Sequence, residues 1–511
     1  MWMRDIPDCV LSESTVINEF LDRYYPDPQL FPDDLWENAQ VRMWQDWELS
    51  FDDVFSPIVA YNMVGFMQRL LVGSKGKLEA LMGPDTPDTV REKNLKIFDA
   101  TLHSREEVTK HVISVYKMLI VLEKALEGKD YVVGEKLTAA DITVYSRMHM
   151  FIATMLPIPA EKFPNCARYR EALAKRKTFE YGDSRAAAFS RMFRCMPGLI
   201  VSVSNWRSGQ QHQMLDGGSV IDRAIAENEE ETSDGNEFAK LLPGVREDEI
   251  VVFDYPTSTQ CWRTKLLLAE TALRYREVDC DVLDLIGRPG GSGGRFRLQH
   301  GEKLLTGENS ILEYINKLAG PKGFVPADPY MRARVQCWLA WDHGMYIGEM
   351  AEVVELKIVS KILLKRFKKN IDGLLSLRSN ARYSDKFQNI VACYINGAGI
   401  DGNDAKELKD EYGHLGMSAE EKEKLVSHCK LCLVKRLEYL DGLLQDQKYL
   451  VGDEITLADL AVWCRLQLFE HIGVDISSKI YPNLYKWLIV LKARQQFWRL
   501  SEKMERFYRS C

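Results

Sequence analysis

The chain has 511 residues, 46% of them hydrophobic and 28% charged, with a formal net charge of -7; this is the composition of globular protein, and the length exceeds one ordinary domain. So small an acidic excess gives no electrostatic reason to bind nucleic acid or an acidic membrane surface. Eleven cysteines lie scattered without the regular spacing of a small secreted scaffold, which points to free thiols in a reducing compartment, the cytoplasm.

The start, Met1-Trp2-Met3-Arg4-Asp5-Ile6-Pro7, lacks the apolar core of a signal peptide. No stretch reaches the roughly 20 apolar residues of a membrane span. Leu11 to Leu21 reads as a short helix capped by Ser12 or Ser14, with Val16, Ile17, Phe20 and Leu21 inward, broken at Tyr24-Tyr25-Pro26-Asp27-Pro28. Ala39 to Trp47 opens a long helical region ending near Leu71, read as core. A capping box, Ser104-Arg105-Glu106-Glu107, starts a helix over 104–127, and a second hydroxyl-to-carboxylate pair, Thr138 to Asp141, starts another.

The same phrases then return in the same order. Ala333 to Trp341 repeats the apolar frame of residues 39–47 at an offset of 294 (333 − 39). Ser418 to Glu421 repeats Ser104 to Glu107 at 314 (418 − 104), and Val451 to Leu460 repeats Val133 to Ile142 at 318 (451 − 133). Tyr481-Pro482-Asn483 answers Phe163-Pro164-Asn165, also at 318 (481 − 163). The chain is therefore read as a duplication. The growing offset puts extra sequence in the second copy, at a loop near Asn396 to Asp404; its Asp401, Asn403 and Asp404 lack the ligand series and closing glutamate of an EF-hand. Between the copies, Met196 to Glu249 includes the acidic run Glu227 to Asp234 and reads as a mobile linker.

The second copy contains the most informative turn. Within Val251 to Glu270 a short apolar run ends in a turn rich in hydroxyls and a helical pattern follows, with Trp262, Leu266 and Ala269 spaced for one buried face, which reads as a strand, a turn and a helix start. Ser258 then stands beside the unpaired N–H groups of a helix N-terminus, which stabilise an anion such as a thiolate. Gly287 to Arg295 is glycine-rich but lacks the Gly-Lys-Ser/Thr ending of a phosphate loop and leads into a strand. His428, Cys429 and Cys432 fall inside an amphipathic helix with no second pair at metal spacing, so core packing is the expected role.

The repeated phrases resemble the glutathione transferase family. Glu13-Ser14-Thr15-Val16-Ile17 is similar to its Glu/Gln-Ser glutathione motif, Thr138-Ala139-Ala140-Asp141 and Thr456-Leu457-Ala458-Asp459 to its helical signature, and Ser258-Thr259-Gln260-Cys261-Trp262-Arg263 to zeta and omega active-site turns. The resemblance implies an α/β plus all-α fold class: tandem units, each a thioredoxin-like α/β domain followed by a helical domain, the first α/β domain truncated. The expected layout is a thioredoxin-like remnant over 1–35, a helical domain over 36–195, the acidic linker over 196–248, a thioredoxin-like glutathione-site domain over 249–325, and a second helical domain over 326–511 with its inserted loop at about 390–415. The duplicated plan is similar to that of the thiol-dependent reductases of trypanosomatids, whose cysteine pair is absent here.

The resemblance also implies the chemistry. Glutathione is the co-substrate, with no metal, and Ser258 donates a hydrogen bond to its sulfur so that the thiolate attacks a small hydrophobic electrophile. Cys261 stands where dithiol members carry a second cysteine, either as a lone catalytic thiol or as packing. Glu308, Asn309 and Arg263, with Glu13 and Ser14 in the first copy, are the implied glutathione contacts. Trp338, Trp341 and Tyr346 fall on the helix that borders the electrophile pocket in active members.

Two features depart from the family: Gly307-Glu308 stands for Glu/Gln-Ser, and no proline occurs between Pro289 and Pro321 to form the usual cis-proline loop. The first copy lacks the strand, turn and helix that would activate a thiol, with Pro7 the one trace of its cis-proline loop. The competing expectation is an inactive scaffold that binds a protein partner, as in the transferase-like module of the elongation factor 1B gamma subunit. In either case the two copies would form an intramolecular pseudo-dimer.

Overall fold

A computed structural model of the protein describes residues 11–83, 88–153, 156–180, 217–233, 241–255, 258–280, 296–367, 371–377, 387, 390–391, 394–395 and 418–510. It divides into two compact units: residues 1–39, 241–288 and 295–511 make a sheet-containing unit, and residues 40–240 with 289–294 a helical one. Pro7, the glycine-rich 287–295 stretch and the 396–404 loop lie outside the described residues.

In the sheet-containing unit, β1 (Ile250–Asp254) is buried along its whole length, as its unbroken apolar run requires. β2 (Tyr275–Asp279) pairs parallel to it. A parallel neighbour needs a crossover, and helix Thr259–Glu270 supplies it. β3 (Arg297–His300) pairs antiparallel with β1, and β4 (Lys303–Thr306) antiparallel with β3. The result is one mixed sheet in the order β2-β1-β3-β4. The tight turn between β3 and β4 uses Gly301 at φ 58°, where a Cβ would stand 3.0 Å from the Glu247 backbone. Helix Glu308–Ala319 closes this α/β layer.

The helices of the same unit begin with Pro329–Met345, capped by Asp328, whose side chain accepts from the Met331 N–H at 2.8 Å. Two π-helical turns follow, Tyr346–Met350 and Glu355–Val359. Helix Ala419–Leu443 starts with the expected Ser418/Glu421 capping box. Asp459 anchors helix Leu457–Leu466: its buried carboxylate accepts from the N–H groups of Leu450 and Thr456, the Thr456 hydroxyl and the Trp487 indole, at 2.9 to 3.1 Å.

Helix Ser14–Tyr24 belongs to this unit although it comes from the other end of the sequence. Leu11, Val16 and Phe20 pack on Ala333. Arg332 is held by Glu19 at 3.1 Å and by Glu313. Glu19 and Glu313 are separated by the repeat offset of 294 (313 − 19), so the equivalent acid of each copy meets the same guanidinium.

The helical unit repeats the theme. Ser104 and Glu107 form the capping box of Arg105–Ala125, and Asp141 accepts from Val132, Thr138 and the Tyr169 hydroxyl at 2.8 to 3.0 Å. Trp47, Phe51, Phe55 and Phe151 make a chain of ring contacts in its core. Part of the stretch expected to be a mobile linker, Gly217–Ser233, is instead a helix that packs on Arg105–Ala125. Val220, Ile221 and Ala224 are buried at helical spacing, while Glu227 pairs with Lys117 at 2.9 Å and Asp222 with Lys162 at 2.8 Å. Three small or branched apolar residues suffice because a helix already present supplies the other face.

The fold class is thus a thioredoxin-like α/β layer with all-helical domains. Among the described residues no helix is long and apolar enough to cross a membrane.

Candidate functional site

Ser258 is the N-cap of helix Thr259–Glu270, with extended backbone at φ -86° and ψ 117°. Its N–H bonds back to the Tyr255 carbonyl at 2.8 Å and its carbonyl accepts from Trp262 at 3.2 Å, so the backbone is fixed at both ends. The hydroxyl makes no capping bond to the helix, so Ser258 itself spends none of the helix N–H groups. It reaches instead toward the Cys261 sulfur. Pro256 and Thr257 of the turn lie outside the described residues.

Cys261 is fully buried; its sulfur accepts from the Tyr255 N–H at 3.3 Å, and its thiol donates to the Phe253 carbonyl at 3.5 Å. Burial, reinforced by the Asp254 charge, pushes its pKa up to about 12. A thiol so placed is almost wholly protonated near neutrality and is a poor nucleophile.

Arg263 and Glu308 meet each other in an ion pair. The second terminal nitrogen of Arg263 goes to Asp342. Asp342 also receives Arg465, Nη2 to Oδ2 at 3.0 Å and Nε to Oδ1 at 3.2 Å. Arg465 closes the set through the Thr259 hydroxyl, at 2.6 Å, and lies 4.2 Å from the centre of the Tyr346 ring. Two guanidiniums and two carboxylates therefore form a balanced chain beside the residue that follows Ser258. Burial alone would raise the Asp342 pKa, but the Arg263 and Arg465 charges outweigh it and hold the carboxyl below its ordinary value. Asn309 is exposed at the start of helix Glu308–Ala319.

Asp342 and Arg465 belong to none of the motifs read from the sequence, and Thr259, although it lies in the active-site turn, is given no role there. Arg465 nevertheless carries a signal: it ends the apolar run Leu460-Ala461-Val462-Trp463-Cys464, and a charge within such a run needs a buried partner.

Glu13 and Ser14 are exposed and lie at the start of helix Ser14–Tyr24. Glu13 has φ 70° and ψ 126°, and Gly307, one repeat later, has φ 87° and ψ 143°. The two helix starts share one backbone form, so Ser14 and Glu308 are structural equivalents. Elsewhere in the sheet-containing unit, Trp338 and Trp341 meet edge-on at 5.1 Å, and Cys432 lies 3.6 Å from the His428 ring nitrogen while Cys429 is buried. Among the described residues no group of three His, Cys, Asp or Glu side chains could hold a metal ion.

Several known proteins are similar to parts of this chain. The family model of the glutathione S-transferase C-terminal domain matches twice, at residues 79–177 and 388–494. A 63-residue stretch is 41% identical to elongation factor 1-gamma of Artemia salina, covering 12% of this chain and 15% of that protein's length. Over 257 residues the chain is 21% identical to the tetrachloro-p-hydroquinone reductive dehalogenase of Sphingobium chlorophenolicum, 49% of this chain and 94% of that one. A beta-etherase from Sphingobium sp. strain SYK-6 is similar in structure at a TM-score of 0.37 and 18% identity, covering 50% of this chain and 99% of that one. A glutathione S-transferase from Sinorhizobium meliloti 1021 gives 0.35 and 16%, over 50% and 92%. The chain thus carries two stretches that match the helical C-terminal domain of the glutathione S-transferases.

Proposed function

We propose that the second copy conjugates glutathione to a small hydrophobic electrophile, or carries out a related thiol transfer, with Ser258 as the sulfur-stabilising donor. The observation that carries this reading is the Ser258 hydroxyl at a helix N-terminus, uncommitted to capping. A thiol brought there loses its proton to water, and its thiolate is held by the hydroxyl and by the helix N–H groups. The sulfur then donates its electron pair to the electrophilic carbon, a C–S bond forms, and the displaced group leaves with the bonding electrons. Cys261 takes no part in this scheme and is assigned to packing.

Glu308 and Asn309 border the co-substrate's γ-glutamyl end, and Arg263 acts on it through Glu308. Tyr346 and Trp341 border the electrophile on the helical side. Glu13 and Ser14 are given a structural role, because no strand and turn of the first copy accompany them among the described residues. Detoxification of electrophiles in the cytoplasm is the corresponding cellular role.

Initial conjugation rates of the intact chain and of Ser258→Ala test the proposal. Loss of a hydrogen bond to a charged sulfur is expected to cost about 10- to 100-fold in rate. An unchanged rate removes Ser258 from the mechanism.

A second reading, a non-catalytic scaffold for a protein partner, is favoured by the Arg263–Glu308 pair, which ties up two residues that would otherwise meet glutathione. The similarity of one stretch to elongation factor 1-gamma, a protein whose name gives no enzyme activity, agrees with it. Absence of glutathione binding at millimolar concentration would select this reading.

A further inference from the structure

We infer that Glu308 makes the thiol site select a co-substrate whose head is an ammonium or an uncharged amide, and reject one that presents a carboxylate there. This rests on the thiol site proposed above and concerns what that site takes.

The chain supplies its own comparison. At the equivalent helix start of the first copy the corresponding residue is Ser14, whose hydroxyl could donate to an anion, whereas the second copy places the Glu308 carboxylate at that position. The Glu308 side chain is 10% exposed. One of its oxygens is taken by Arg263, and the other has no hydrogen-bond partner among the described residues. It is left as an acceptor.

The charged donors nearby are engaged at their terminal nitrogens, and the Nε of Arg263, which has no hydrogen-bond partner, is buried. Both terminal nitrogens of Arg263 are on carboxylates, and Arg465 is on Asp342 and Thr259. The Ser310 hydroxyl, two residues along the helix, turns back to the carbonyls of Thr306 and Gly307. The partial positive charge of the helix start is already met by Glu308 itself. An arriving carboxylate would add an uncompensated negative charge to a set that is balanced without it, next to an open carboxylate oxygen. An ammonium or amide N–H would give that oxygen its missing donor.

The test compares two probes that differ by one charge: glutathione, and glutathione with its γ-glutamyl α-carboxylate converted to the primary amide. Calorimetry on the full chain is expected to show the amide binding about tenfold tighter, the scale set by a like-charge contact. In Glu308→Gln the ratio is expected to fall to within about twofold, because the neutral side chain no longer discriminates charge. Equal or tighter binding of glutathione by the unmodified chain overturns the inference and leaves the proposed function standing. The same ratio in Glu308→Gln as in the unmodified chain also overturns it. If neither thiol binds, both fall. Should Glu308→Gln fail to fold, the ratio measured on the unmodified chain decides alone.

Discussion

Asp342→Asn tests the ion chain that joins the α/β layer to the helices around Ser258. Asp342 is completely buried, and the side chains of its partners Arg263 and Arg465 are 1% and 2% exposed. Asparagine keeps the shape but removes the charge on which both guanidiniums converge. Arg263 would retain Glu308, and Arg465 would retain only the neutral Thr259 hydroxyl and the Tyr346 ring. Breaking a buried pair by neutralising one partner costs about 3 to 5 kcal/mol. At about 2 to 4 °C per kcal/mol for a domain of this size, the melting point should fall by roughly 10 °C.

Urea denaturation followed by tryptophan fluorescence gives the difference, because Trp262 and Trp463 are buried in the same unit. The pH dependence has a definite sign. Asp342 has a depressed pKa in the folded chain, so its contribution is complete above the ordinary value of 3.8 and is lost as pH falls through the depressed one. The gap between the unmodified chain and Asp342→Asn is therefore full at neutral pH and narrows in acid. A loss below about 1 kcal/mol at pH 7, the scale of an exposed pair, would refute the reasoning.

Further substitutions probe separate parts of the fold. Gly307→Ala forces an L-residue to φ 87° and should cost about 1 to 3 kcal/mol in the same denaturation assay. Glu19→Gln removes one of the two carboxylates on Arg332; amide exchange in Ser14–Tyr24 should accelerate while that of Thr259–Glu270 stays unchanged. Asp141→Ala and Asp459→Ala each strand buried donors and should each cost about 2 to 4 kcal/mol. Calorimetric melting should assign the first loss to the helical unit and the second to the sheet-containing one.

The helical framework is legible in the sequence because its signals are local. Capping boxes at Ser104 and Ser418 and the Thr-Asp pairs at 138 and 456 act within one turn of chain. The strand, turn and helix around Ser258 are legible for the same reason, as periodicity changes abruptly there. The ion chain is not: Asp342 lies 79 residues from Arg263 and 123 from Arg465, and pairing across such distances leaves no local pattern. Helix Gly217–Ser233 escapes a sequence reading because few of its described residues are apolar and buried, Val220, Ile221 and Ala224, and its acidic flank has the composition of a linker. The burial of Cys261 follows from its facing the β1 backbone, which its spacing from Ser258 does not reveal.

Stabilisation of a thiolate by Ser258 is measured most directly by ultraviolet difference absorbance of glutathione bound to the full chain, titrated against pH, which gives the thiol pKa at the site. A value below the roughly 8.5 of a free thiol is expected in the unmodified chain, with a return toward it in Ser258→Ala. A bound thiol that titrates at its free value in both proteins would contradict the role given to Ser258.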